Sequence, residues 1–248
     1  MSSTTWTPRA LASESATVEL ALWRAVEAQH VVATRALVDS RAEQDLLEQI
    51  LEANKPKIPV ECAGLDYLLF TPFRYPSAAF GSRFRDLTDP GVWYGAETVQ
   101  ASCAEIGYWR CRFVADSAGL KMLDGVAHTL FRATARGAGI DLREAPFKRA
   151  EKIWMHADDY GPCRAIARVA REAEQRILRY ASVRDPDHAG CAAVLDCRAF
   201  RGGRGVTSRQ TWFLSADAQR ASWIRTGSRG GAGEAYEFDQ VVVDRPFA

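Results

Sequence analysis

Arg83, Tyr94 and Glu105 follow one another at equal steps of eleven residues. Their side chains suit one another chemically. An arginine fork binds a phosphate or carboxylate through two parallel hydrogen bonds. A tyrosine offers a flat face for stacking and a hydroxyl. A carboxylate stabilises a developing positive charge or acts as a base. Arg74, in FRYP, and Arg83, in GSRF, both adjoin aromatic and turn-forming residues, which points to element ends near a cleft. Each residue also has a plainer reading: a salt bridge or solvated rim for the arginines, core for Tyr94, and a turn cap for Ser182 in RYASVRDP. Glu105 is odd in place, between Ala104 and Ile106 and near Ala101, Tyr108 and Trp109. It is either an arginine's partner or a functional group in a pocket.

These residues need elements to hold them. Thr98 is placed to cap a helix over VQASCAEIGYWR, with Ala101, Ala104, Glu105 and Tyr108 on one face. GVWYG, bracketed by Pro90 and Gly95, reads as a short buried strand, YLLF as another, and WRCRFVA as a continuation into a strand. Residues 141–163 are loop-rich. CRAIARVAREAEQRI predicts a helix, with Ile166, Val169, Ala170 and Ala173 opposite Arg164, Arg168 and Arg171. CAAVLDC and YEFDQVVVD read as strands; RGGRG and GSRGGAG read as turns around TWFLS and ASWIRT. Residues 15–54 read as a helical hairpin: Val18, Leu22, Ala25 and Val26 make an imperfect stripe, and Leu46, Leu47, Ile50 and Leu51 a clear one. That hairpin is either a packing layer or a partner-docking element. The irregular mixture predicts an α+β (mixed α/β) fold with small, partly antiparallel sheets.

Bulk properties narrow the classes. The chain has 248 residues, 47% apolar and 25% charged, and a net charge of +1. This is ordinary globular usage without a field that recruits nucleic acid or an acidic membrane. Six cysteines form no CxxC pair and none lies near a histidine at zinc-finger spacing, so reduced, buried thiols in a cytoplasmic protein are expected and no metal site. The N-terminal residues lack a basic segment followed by an apolar one, so no signal peptide is expected, and no apolar run is long enough to span a bilayer. GxGxxG after a strand, GxxxxGK[ST], HExxH and GxSxG are all missing, which removes the usual support for dehydrogenase, P-loop kinase, zincin and serine-hydrolase readings. Two isolated RGG triplets are hairpin turns before they are RNA contacts.

The ordered series FTPFRYP…GSRF…GVWYGAET…ASCAE…DLREAPF…DDY…LRYASVRDP…AAVLDCRAF, over about residues 66–240, resembles the RES-domain family. Members are toxins of type II toxin–antitoxin pairs whose antitoxin is a Xre-like helix-turn-helix protein. The resemblance implies a core similar to the ADP-ribosyltransferase fold, spanning residues 61–248 behind an N-terminal helical extension, residues 1–60. It implies an enzyme that consumes NAD+. The motif residues map to Arg74, Arg83, Tyr94, Glu105 and Ser182. Ala181 replaces a common Pro, which changes turn stiffness, and Arg85 replaces a common Asn or Gly, which alters pocket charge and leaves the acceptor open.

On that resemblance, Arg74 and Arg83 orient the pyrophosphate, Tyr94 stacks on nicotinamide, and Ser182 donates to a phosphate or ribose oxygen. Glu105 stabilises the oxocarbenium-like sugar or activates the nucleophile. Glu105, Arg83 and Tyr94 are the catalytic candidates, and no metal is required. The implied reaction is ADP-ribosyl transfer to a host cytosolic protein. The alternatives are NAD+ glycohydrolase or phosphorolase activity and, from a different class, a non-catalytic partner-binding protein.

Overall fold

The computed structural model describes residues 6–28, 38–75, 79–201, 205–225 and 233–239. Eight strands join one sheet: β1 (Ala16–Glu27), β2 (Trp93–Ala96), β3 (Leu123–Asp141), β4 (Ile177–Ala181), β5 (Gly190–Val194), β6 (Val206–Ala216), β7 (Arg220–Arg225) and β8 (Ala235–Asp239). Their order is β1-β2-β5-β4-β3-β6-β7-β8, and β1 pairs again with β3, from Ala16 opposite Gly139 to Glu27 opposite His128. The first five strands therefore close on themselves, while β6, β7 and β8 continue the sheet from β3. Among the described residues only β3 and β4 run parallel. The α+β class holds, but the small sheets expected are one continuous mixed sheet.

The largest departure from the sequence reading is β1. Residues 16–27 are a strand, not the first arm of a helical hairpin. Leu20 and Trp23, which a helical stripe through Val18, Leu22, Ala25 and Val26 leaves out, fit a period of two. Val18, Leu20 and Leu22 pack with Phe131, Ala133 and Ala135, and Trp23 and Ala25 join the cluster of Leu130, Trp212 and Trp223 on the opposite face. The proposed boundary at residue 60 thus divides the sequence but not the sheet, because β1 is paired with β3 along its whole length. Before it, α1 (Pro8–Ser13) is capped by Thr7 and buries Leu11.

The second arm does form. Ser40 caps α2 (Arg41–Ala53) by accepting from the Glu43 N–H. The helix buries none of its residues and leaves Leu46, Ile50 and Leu51 exposed, so it is no packing layer. Residues 29–37, which the hairpin reading also covered, lie outside the described residues. YLLF opens a helix, α3 (Tyr67–Arg74), because Asp66 caps it by accepting from Leu68 N–H. GVWYG delivers β2 as expected.

Thr98 caps α4 (Val99–Asp116) by accepting from Ala101 N–H at 3.1 Å. WRCRFVA stays helical: Cys111 and Val114 extend the buried face begun by Cys103, Ala104 and Gly107. A Cβ on Gly107 would stand 2.9 Å from Ala221 Cβ, so the glycine sets how closely α4 lies on β7. No element was assigned to residues 118–140, yet they carry most of β3. Its alanines and glycines have low strand propensity but allow close approach where strands meet. A Cβ at Gly139 would stand 2.7 Å from the Ile177 carbonyl and 2.8 Å from Val18.

The loop-rich stretch 141–163 contains a short helical turn, Phe147–Ala150, and α5 (Glu151–Trp154). The predicted helix α6 (Gly161–Glu172) buries Ile166, Ala167 and Ala170. Its arginines are not a solvated face. Arg168 pairs with Asp86 and Asp89, and Arg164 donates to the Ser82 carbonyl, so the helix fastens the segment before β2. Residues 202–204 of RGGRG, most of GSRGGAG, and the end of YEFDQVVVD lie outside the described residues. Two cysteines correct the expectation of free thiols: Cys62 and Cys197, with Cα atoms 5.7 Å apart, form a disulfide. The folded chain brings together residues that 135 positions separate in sequence. Cys103, Cys111, Cys163 and Cys191 are free and buried, as expected.

Candidate active site

Four of the five residues singled out in the sequence converge. Tyr94 is on β2, Arg83 on the segment fastened by α6, Glu105 in the second turn of α4, and Ser182 just after β4. Glu105 accepts a 2.6 Å hydrogen bond from the Ser182 hydroxyl. Ser182 is fully buried and in turn accepts from the Asp185 N–H at 3.0 Å and the Arg184 N–H at 3.3 Å. Ser182 therefore stands behind Glu105 and orients it, and its hydroxyl proton is engaged there rather than offered to a phosphate or ribose oxygen.

Arg83 donates to the Trp154 and His156 carbonyls at 3.0 and 2.9 Å, and its guanidinium lies 4.5 Å from the centre of the Tyr160 ring. Burial works against its charge, but Tyr160, Cys163, Tyr180 and Glu105 outweigh it, so the pKa is raised. Arg83 remains a cation held on backbone and ring. The Tyr94 hydroxyl shares a 2.8 Å hydrogen bond with Ser82 and accepts from Phe84 N–H at 3.0 Å. Burial raises its pKa, so it is a neutral, fixed group.

Arg74 is not brought to this place. It donates to Glu52 at 2.8 Å and to the Pro56 carbonyl at 2.6 Å, tying α3 to the end of α2. Phe73 and Arg74 close α3, and Arg74 is paired there with the exposed Glu52. Arg85, a suspected source of pocket charge, is also turned away. It is buried and donates to the Asp89, Phe80 and Leu87 carbonyls, stitching its own loop. Glu97, the nearer carboxylate in sequence, is engaged by both ends of the Arg179 fork.

Arg24 supplies what Arg74 does not. It donates to the Tyr94 carbonyl at 2.8 Å, lies 5.3 Å from the Trp93 ring centre, and has a buried Nε without a partner. Burial lowers its pKa to about 10, opposed by Tyr94. The signal was present in the sequence once β1 is read as a strand. Arg24 falls in the inward series Val18, Leu20, Leu22, Val26, where a charge is out of place.

Arg24, Arg83, Tyr94 and Glu105 line one cleft of about 870 Å³. Small-molecule sites occupy roughly 300–1,000 Å³. One wall is a single face of α4, since Ser102, Glu105, Trp109, Arg112, Phe113 and Asp116 recur at helical spacing. Facing it are Trp23, Arg24 and Ala25 of β1 and the Phe80–Arg83 segment, with Tyr160, Tyr180 and Cys191 completing the lining. Burial raises the pKa of Tyr180 and of Cys191 well above their ordinary values, so both are neutral. The cleft holds three guanidiniums and two carboxylates; Arg112 is engaged by Asp116, while Arg24 and Arg83 share the lining with the oriented Glu105. It is suited to an anion joined to a centre that becomes positive.

The family pattern of the RES domain matches residues 58–217, more than half of the chain. The protein belongs to the RES-domain family. The match contains Arg83, Tyr94, Glu105 and Ser182, while β1 and Arg24 precede it. Three strands of the same sheet, β1, β7 and β8, thus lie outside the matched region. The crystal structure of the M. tuberculosis MbcT–MbcA toxin–antitoxin complex is similar to this chain at 14% identity and a TM-score of 0.49, over 82% of this chain and 91% of that one. No curated protein matches the sequence.

Proposed function

We propose that this RES-domain protein is a toxin that cleaves NAD+ at the nicotinamide–ribose bond and transfers ADP-ribose to an acceptor, a cytosolic protein of the host. The observation that carries the reading is the pairing of Arg24 and Arg83 with an oriented Glu105 in one cleft. The guanidiniums hold the pyrophosphate. The C1′–N bond breaks with its electron pair leaving on nicotinamide, which departs neutral. The ribose becomes an oxocarbenium-like cation, and Glu105 stabilises it across the cleft. The acceptor then attacks C1′ and gives up its proton, for which Glu105 is the available base. Tyr94, which lines the same cleft, stands beside the departing base. Water or phosphate as acceptor gives glycohydrolase or phosphorolase activity from the same site. A Xre-like antitoxin that covers the cleft would silence it.

The test is nicotinamide release from NAD+ by the wild type and by Glu105→Ala. Release that depends on Glu105 is expected. Undiminished release from a folded Glu105→Ala protein refutes the site. Labelled NAD+ in a lysate separates a modified protein band from free ADP-ribose. Equal toxicity with and without a co-expressed antitoxin gene counts against the toxin–antitoxin reading.

A further inference from the structure

Residues 155–160 join α5 to α6 and are neither helix nor strand. Inside the segment, His156 Nδ1 accepts from the Asp159 N–H at 2.8 Å and the Asp158 N–H at 3.2 Å. Two arginines from distant parts of the chain grip it from outside. Arg83 takes the Trp154 and His156 carbonyls, both through Nη1, and lies against the Tyr160 ring. Arg184 takes the next carbonyl, that of Ala157, at 2.6 Å and reaches the Tyr160 hydroxyl at 3.5 Å. Arg184 is also tied to the carboxylate side of the cleft. Its guanidinium stands 3.5 Å from the centre of the Tyr108 ring, three residues after Glu105 on α4. Its backbone N–H donates to the Ser182 oxygen, whose proton goes to Glu105. A cation only 10% exposed is unfavourable unless rings and carbonyls compensate it. Here Tyr108 and Ala157 do so, while Asp158, 4.0 Å away and 43% exposed, adds little.

We infer that Arg184 is a positioning residue: it fixes segment 155–160 against α4 and, through that segment, sets where the Arg83 guanidinium stands relative to Glu105. The inference rests on the reading of Arg83 as a ligand for the substrate's pyrophosphate. It gives Arg184 no contact with substrate, since Arg184 does not line the cleft. The two halves of the site come from different elements, Glu105 from α4 and Arg83 from the segment before β2. Ser182 holds Glu105 from behind. Arg83 is bonded to carbonyls of the 154–156 stretch, so it moves with them. Arg184 is the residue that touches both sides, by its N–H on one and its side chain on the other. An arginine suits this place because its plane lies flat on a ring while its edge donates, which an ammonium does not do.

The test is a double-mutant cycle read by the binding of inorganic pyrophosphate, which needs no catalysis. Calorimetry on the full chain compares the wild type, Arg184→Gln, Arg83→Gln and the double variant. Arg184→Gln should weaken pyrophosphate about tenfold, within the coupling found between residues that share partners. In the Arg83→Gln background the same change should weaken it less than about twofold, because the group it positions is gone. A merely structural role would give the same loss in both backgrounds. An equal loss in both, an Arg184→Gln affinity within about twofold of the wild type, or no pyrophosphate binding by the wild type overturns the inference. If Arg184→Gln does not fold, Arg184→Lys takes its place, keeping the charge without the planar fork. It should lose at least about threefold, and only while Arg83 is present; wild-type affinity in this variant overturns the inference. Nicotinamide release measured in parallel keeps the readings apart. Coupled pyrophosphate binding without NAD+ cleavage sinks the catalytic reading alone. Cleavage with equal Arg184→Gln losses in both backgrounds sinks the positioning role alone.

Discussion

Arg24→Met separates function from stability at one residue. In the native protein burial lowers the Arg24 pKa from the ordinary arginine value to about 10. A cation whose folded pKa lies below its unfolded value destabilises the fold at every pH below the folded value. The effect fades only as pH rises toward the unfolded one. At pH 7 the penalty is therefore present in full, about 3 kcal/mol at ~1.4 kcal/mol per unit. Against it stands the charge-assisted hydrogen bond to the Tyr94 carbonyl, about 1.5–3 kcal/mol. Methionine removes both, keeps an unbranched apolar stem against Trp93, and leaves one carbonyl to find another donor. Stability should stay within about 1 kcal/mol of the wild type, as is common when a buried charge yields to an apolar side chain. Nicotinamide release should not survive. Losing one guanidinium from the pyrophosphate should lower kcat/KM at least about a hundredfold, which corresponds to ~2.7 kcal/mol. Urea unfolding at unchanged m value reports the first quantity, and a nicotinamide assay reports the second. A methionine variant with full activity refutes the role of Arg24. One that unfolds several kcal/mol more easily refutes the balance of burial against hydrogen bonding.

Two further substitutions test the remaining assignments. Ser182→Ala removes the donor to Glu105 and leaves the buried Arg184 and Asp185 N–H groups short of an acceptor, so stability should fall by about 2–3 kcal/mol. In the same variant kcat should fall more than KM changes; equal activity would show that Glu105 needs no orientation. Arg74→Ala should leave nicotinamide release within about twofold and lower stability by less than ~1 kcal/mol, because its partner Glu52 is solvent-exposed. A large loss of release, measured in the same assay, would return Arg74 to the site.

Several elements were legible because their signals are local. A cap followed by a helical face fixed α4 and with it the direction of Glu105. Pro90 marked the approach to β2 and Tyr94, although the strand runs on through Gly95 to Ala96. Alternating small apolar and arginine positions marked α6. The equal spacing of Arg83, Tyr94 and Glu105 pointed to three residues that line one cleft. What spacing could not say is which arginine completes them. Arg74 and Arg24 both sit beside aromatic residues, and the sequence offers no reason to prefer Arg24 while residues 16–27 are read as a helix.

The deciding information is long-range pairing. β1 and β3 are each ambiguous alone, since one mixes helical and alternating patterns and the other is rich in small residues. Paired along the whole of β1, they satisfy each other's backbone groups, and that pairing overrides local propensity. It turns Arg24 inward onto Tyr94 and Trp93. The turn after β4 likewise sets Ser182 behind Glu105 across 77 residues of chain. The sequence by itself determined the family, the α+β class and four of the residues that meet. Only the tertiary structure decided which of them face the cleft and which support it. It also decided that the partner cation comes from the N-terminal strand, because a strand's facing is set by the register of its neighbours.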